Sequence, residues 1–344
     1  LQNNVGKSVS RRFTWVDVAK GIAIVLVIYR HVLIGIGRSG VTIESYLLEL
    51  NEMVYSFRMP LFFILSGFFF AKSAQKRSHK SFFNTKVKTL MYPYLVWALL
   101  QVSLQALLHQ YTNADRGLKD YAFIFIQPRA IDQLWFLYAM FNVTVFCFAL
   151  KYLLRIPKIP LLLLTIVFFW ASTFVKEYSL IHDLLFFPVF FITGDLMASR
   201  IMNEDFQQQF GSVKALLIML PFFLISQWYW LNHPEINIFL FGLVALFGSF
   251  FTIAFSIRFS QHRFANIFEV IGKNSLQIYV MHVLVSSGFR ILFTNIFGIY
   301  NTYFLLFLGL FTGVLVPLYV VKLSKKQKPI NWLFRPPKPG DITD

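Results

Sequence analysis

The feature that most constrains this chain is a set of charged residues inside an apolar helix. Residues 15–31, WVDVAKGIAIVLVIYRH, open with Asp17 and Lys20 and carry Arg30 and His31 within a run long enough to cross a bilayer. An ionisable group at bilayer depth is costly, so it counts as a functional-site hypothesis by default. The run is also one of ten. Apolar stretches near the ~20-residue length that a hydrocarbon core demands fall at 17–37, 52–71, 90–110, 133–151, 159–175, 183–201, 213–232, 236–257, 275–297 and 302–322. The segment at 159–175 is short for a span. Composition agrees, because 57% of the chain is hydrophobic against roughly 45–50% in a soluble domain.

The net charge of +16 raises nucleic acid as a partner. That reading needs one basic face or arm, whereas the cations here lie between apolar runs. Counted over alternate connections, 24 of the 32 Lys and Arg fall on one side, five on the other and three within spans. The positive-inside rule then places both termini in the cytoplasm. The expected fold is all-α: a polytopic transmembrane bundle of about ten spans. Residues 1–16 form a cytoplasmic N-terminal segment, 17–322 the transmembrane domain and 323–344 a cytoplasmic basic tail that ends in a disordered RPPKPGDITD. The first span reads as an uncleaved signal-anchor, and a start at Leu1 as a trimmed or partial terminus. One cysteine, Cys147, excludes an intrachain disulfide or a cysteine metal cluster.

The intramembrane polar residues carry the functional reading. Eleven residues at about 100° each return His31 to within about 20° of the Lys20 face, some 16 Å along the helix. Asp17 lies on nearly the same face, so a polar stripe runs up the first span. Span two runs the other way, and there Arg58 sits at the depth of His31, so the two are expected to meet. Histidine can take and return a proton near neutral pH, which makes His31 a candidate base beside a fixed cation. The alternative is a packing histidine, with Arg58 snorkelling or paired with Glu52. His282 in span nine reads as a core histidine or a second catalytic candidate, and Arg290 as an anchor to headgroups. Trp135 lies at the outer interface, and Ser66-Gly67 form a small-residue contact site. The outer connection 111–132 reads as a solvated loop or an acceptor-binding lid. No phosphate loop, nucleophile elbow or metal-ligand spacing is present in the sequence, and nothing in it sets an oligomeric state.

Taken together, several stretches resemble bacterial integral-membrane acyltransferase family 3, the O-acyltransferases of cell-surface glycans. WVDVAKGIAIVLVIYRH resembles the first-helix signature, a basic residue followed eleven places later by His. RMPLFFILSGFFF, FFNTKVKTLMYPYLVW, LWFLYAMF and GKNSLQIYVMH are similar to further family segments, in the same order. The resemblance implies His31 as catalytic histidine, Lys20 as its basic partner, and Lys86 as the first member of a donor-side pair whose second arginine falls on Thr89, with Lys88 as a substitute. Arg30 departs from the family, which often has a small residue before the histidine. The implied enzyme has no bound cofactor. It takes acyl-CoA, acetyl-CoA first among the candidates, and acylates a glycan or lipid-linked saccharide from a bacterial inner membrane. A proton-coupled transporter and a scaffold for polysaccharide assembly are the rival readings.

Overall fold

The computed structural model describes residues 13–108 and 116–337. Residues 1–12, the segment 109–115 with Asp115, and residues 338–344 of the tail lie outside the described residues. The described residues form eighteen α-helices and no strand: α1 (Thr14–Arg38), α2 (Ser45–Met53), α3 (Tyr55–Phe68), α4 (Phe70–Gln75), α5 (His79–Lys86), α6 (Tyr92–Leu107), α7 (Asp120–Ile126), α8 (Trp135–Phe148), α9 (Lys158–Ala171), α10 (Ser179–Phe186), α11 (Pro188–Ile201), α12 (Glu204–Phe210), α13 (Val213–Asn232), α14 (Ile238–Phe259), α15 (Ala265–Lys273), α16 (Ser275–Asn295), α17 (Thr302–Ser324) and α18 (Lys328–Trp332). Backbone amides in hydrocarbon have to be satisfied within a helix or by a closed barrel, and apolar runs of this length do so as helices.

Eight continuous helical stretches among the described residues are long and apolar enough to span a bilayer. The other two expected spans are also helical but shorter. Tyr55–Phe68 breaks at Phe69 before α4 continues, and Lys158–Phe174 ends in a 3-10 turn. The third span begins further back than its hydropathy suggests, because α5 runs through a π turn at Val87–Met91 directly into α6.

α1 is the axis of the bundle and packs against α3, α14, α15, α16 and α17. Lipid tails are as apolar as leucine, so helices in a membrane gain by close approach rather than by hydrophobic burial, and small residues mark the contacts. Gly67 of α3 lies on Gly194 of α11: a Cβ on Gly67 would stand 2.0 Å from the Phe191 carbonyl, and one on Gly194 would stand 2.2 Å from the Ile64 carbonyl. Gly21 and Gly272 make the same kind of seam between α1 and α15.

Two ion pairs tie the helices together internally. Lys151, in the π turn after α8, bonds Asp195 of α11, which is 3% exposed. Arg129, in the 3-10 turn before α8, grips Asp183 of α10 through Nε and Nη2, the shortest contact being 2.6 Å. Removing one member of a buried pair strands the other charge and costs about 3–5 kcal/mol. Asp195→Ala is therefore expected to lower the thermal midpoint in detergent sharply, and adding Lys151→Met should restore most of it. Equal midpoints for Asp195→Ala and wild type would show that the pair contributes nothing.

The connection before α8 is ordered by a polar network. The Gly117 N–H, at 2.7 Å, and the Arg116 guanidinium hold the Asp120 carboxyl below the usual carboxylate range. Arg116 also reaches Asp132 at 3.3 Å, as does Gln105 at 3.0 Å. Asp132 adopts φ 63° and ψ −137°, a region costly for a residue with a Cβ. These partners hold it there.

Candidate active site

The C-terminal half of α1, the start of α3, the turn before α8 and the facing ends of α10, α13, α14 and α16 enclose a cavity of about 560 Å³. Its position follows from local sequence. Pro60 inside α3 has no N–H to give the Ser56 carbonyl, and this loosened turn opens onto the cavity beside Arg58. Ser56 donates its hydroxyl to Gln227 of α13 at 2.7 Å, which fixes the wall.

His31 and Arg58 both line this cavity, so the structure brings the two together. Arg58 is only 2% exposed. Its Nη1 donates to the Leu26 carbonyl of α1 at 2.9 Å and to Asn51 Oδ1 at 3.2 Å. Glu52 is not its partner: that carboxylate pairs at 3.4 Å with Arg30 instead. Arg30 also lies 4.6 Å above the ring of Tyr55, whose centroid is 5.4 Å from the Arg58 guanidinium carbon. Tyr55 in turn stacks on Trp230 of α13.

No described residue hydrogen-bonds the His31 ring, which meets His282 of α16 with centroids 5.3 Å apart and planes at 61°. His282 is fully buried, and its Nδ1 lies 2.7 Å from the Tyr279 carbonyl. A carbonyl only accepts, so Nδ1 carries a proton. Its Nε2 is buried with no partner among the described residues. His31 therefore lines the cavity with ring nitrogens that no described residue claims, and behind it stands a second imidazole with one buried, unpartnered nitrogen.

Cations dominate the lining. Arg30, Arg38, Arg58, Arg129 and Lys176 face one carboxylate, Asp132. Trp135, Trp230, Phe186, Phe187 and Phe241 supply aromatic walls. Trp135 does more than mark an interface, because the Arg129 guanidinium lies 4.1 Å over its ring.

The remaining candidates sit elsewhere. Asp17 is buried and Lys20 half-buried near the opposite end of α1, and neither lines the His31 cavity. Lys86 is half-buried with its ammonium 5.4 Å from the Phe82 ring, and Lys88 is exposed on the π turn; these too lie away from the cavity. Ser66 is half-buried before the break in α3. Arg290 is not a headgroup anchor. It is 8% exposed and shares with His31, Ser286 and Ser287 a small crevice between α1, α16 and α17.

Several cavity residues were not singled out from the sequence: Tyr55, Arg129, Lys176, His182 and Trp230. The one available signal was charge. Arg38, Arg129 and Lys176 are three of only five cations in the loops on that side, and all three reach the same cavity.

A family model described as an acyltransferase domain matches residues 13–322. The nodulation protein NolL of Sinorhizobium fredii (strain NBRC 101917 / NGR234) is similar, 29% identical over 126 residues that cover 36% of this chain and 32% of NolL. The chain thus spans about a third of that relative's length. No solved structure matches.

Proposed function

The chain belongs to acyltransferase family 3, and on that premise we propose that this membrane acyltransferase moves an acyl group, acetyl first among the candidates, from cytoplasmic acyl-CoA to a hydroxyl of a surface or lipid-linked glycan. The observation that carries the reading is His31, a titratable ring with unclaimed nitrogens at the wall of a roomy, aromatic-lined cavity. Such a cavity, with a few convergent polar groups, is the default form of a small-molecule site.

In this mechanism a His31 nitrogen removes the proton of the acceptor hydroxyl as its oxygen attacks the thioester carbonyl. A C–O bond forms, and the carbonyl electrons move onto oxygen. The positive field of Arg30 and Arg58, both held on the cavity wall, stabilises that oxyanion. Collapse of the intermediate breaks the C–S bond, and the imidazolium returns its proton to the departing thiolate. His282 acts as a positioning residue through its edge-on contact with the His31 ring, the centroids 5.3 Å apart, which fixes how that ring sits at the cavity wall.

Cation counts favour an orientation with the Lys20 end of α1 in the cytoplasm and the His31 cavity toward the outer face of a bacterial inner membrane. Lys20, Lys86 and Lys88 then lie on the side from which an anionic donor arrives. Mass spectrometry of surface glycans from cells with and without the protein tests the reading. The expected difference is about 42 mass units per site for an acetyl ester. Identical spectra, with the protein present in the membrane, would remove the proposal.

A further inference from the structure

The geometry points to an acceptor that is itself an anion: a saccharide whose carboxylate or phosphate group lies against Arg58 and the cations around it while a hydroxyl faces His31. This rests on the acyl-transfer reading and adds the chemical class of its acceptor.

The argument is a charge balance. Of the cations lining the cavity, Arg129 is satisfied by Asp183 and Arg30 by Glu52. Arg38 lies 3.8 Å from Asp132, a carboxylate already engaged by Arg116 at 3.3 Å. Arg58 has no carboxylate within 4.0 Å among the described residues; its Nη1 meets only neutral oxygens, and no described residue accepts from its Nε or Nη2. Lys176 is exposed at the rim, with no carboxylate partner among the described residues. The nearest counter-charge to Arg58, Glu52, is already paired with Arg30; a guanidinium taken out of water with no carboxylate in contact is strongly unfavourable, and it presents the planar fork that carboxylates and phosphates accept in bidentate fashion.

A second observation makes the same point. Arg30 and Arg58 converge on the single ring of Tyr55, at 4.6 and 5.4 Å. Two like charges brought this close repel, the more so where water is scarce. An oxyanion between them and the rim would relieve both costs, while a neutral acceptor would relieve neither. The Trp135 and Trp230 rings leave a flat apolar surface for the remaining face of the sugar.

The test uses the full-length protein in lipid nanodiscs and the fluorescence of its tryptophans, two of which line the cavity. Methyl glucoside, methyl glucuronide and methyl glucoside 6-phosphate are titrated as matched neutral, carboxylate and phosphate probes, with coenzyme A as competitor. At least one charged probe should bind about tenfold or more tightly than the neutral one, and added salt should weaken the preference. The tighter charged probe identifies the group. The preference should largely disappear in Arg58→Gln and shrink in the rim double variant Arg38→Gln/Lys176→Gln, which alters only groups outside the packed interior. Equal binding of all three probes, no binding of either charged probe, displacement of the sugar by coenzyme A, or a preference undiminished in both variants overturns the inference. Glycan acylation in cells is scored alongside. If acylation persists and depends on His31 while the charge preference is absent, only the anionic acceptor is lost; if acylation itself is absent, the acyl-transfer reading is lost.

Discussion

His31→Ala is expected to lower acyl transfer by a factor of about 10²–10⁴, the usual contribution of a positioned acid–base group, in protein that still inserts and accumulates. The second half of that expectation rests on where the side chain sits. The buried packing of α1 is made by Ile24, Val27, Ile28, Val32 and Leu33, whereas His31 is half-buried at the cavity wall, so truncating it enlarges a cavity that already exists. Release of free thiol from acetyl-CoA by protein in nanodiscs, together with glycan mass spectrometry in cells, reads the effect. His282→Phe is the informative companion. It keeps a ring against His31 but removes both imidazole nitrogens, so it should slow transfer by a smaller factor, about tenfold, and shift the pH profile of the reaction without lowering the amount of protein in the membrane. Wild-type acylation in His31→Ala would falsify the assignment of that residue, and an unshifted profile in His282→Phe would reduce His282 to packing.

Much of this arrangement was legible from residue order, because the membrane restricts what the chain can do. Ten apolar runs imply ten helical segments, and among the described residues eight are long enough to span while the second and fifth are helical but shorter. Hydropathy cannot see the break at Phe69, since an interrupted helix and a continuous one have the same composition. Depth arithmetic along two antiparallel helices was enough to bring His31 and Arg58 to one level, and both line the cavity. It could not assign their partners. Glu52 lies six residues before Arg58 and 22 after Arg30, and local spacing favours the first pairing, yet the tertiary approach of α1 and α2 makes the second. Arg290 was misread for the same reason. Its place near the end of a span suggests a headgroup, but the packing of α16 against α1 and α17 buries it. The cavity's cationic character was the least legible feature, because Arg129 and Lys176 enter it from separate loops that no periodicity links.

The largest structural effect is expected at Gly272, within the segment GKNSLQIYVMH whose family likeness draws attention to its Lys and His instead. A Cβ at Gly272 would stand 1.7 Å from the Asp17 carbonyl oxygen and 2.9 Å from the Gly21 nitrogen, and one at Gly21 would stand 2.1 Å from the Phe268 carbonyl. All of these obstacles are backbone, so no rotamer change can make room. α15 and α1 would have to separate by more than an ångström along the seam, and overpacking of this kind costs about 1–3 kcal/mol or more. Because α1 also contacts α3, α14, α16 and α17, the displacement reaches the elements that shape the cavity. Gly272→Val is therefore expected to reduce the folded protein recovered from membranes severely and to lower its thermal midpoint in detergent, with Gly272→Ala intermediate. Gly21→Ala should not add fully to Gly272→Ala, since the two act on one contact. Gly288 of α16 is the control: a Cβ there meets nothing within 4 Å, so Gly288→Ala should leave the midpoint unchanged or raise it slightly, alanine being the better helix former by up to about 1 kcal/mol. If Gly272→Val melts with wild type, the two helices do not meet at that seam, and the placement of α1 as the axis of the bundle is wrong at the end that carries Lys20.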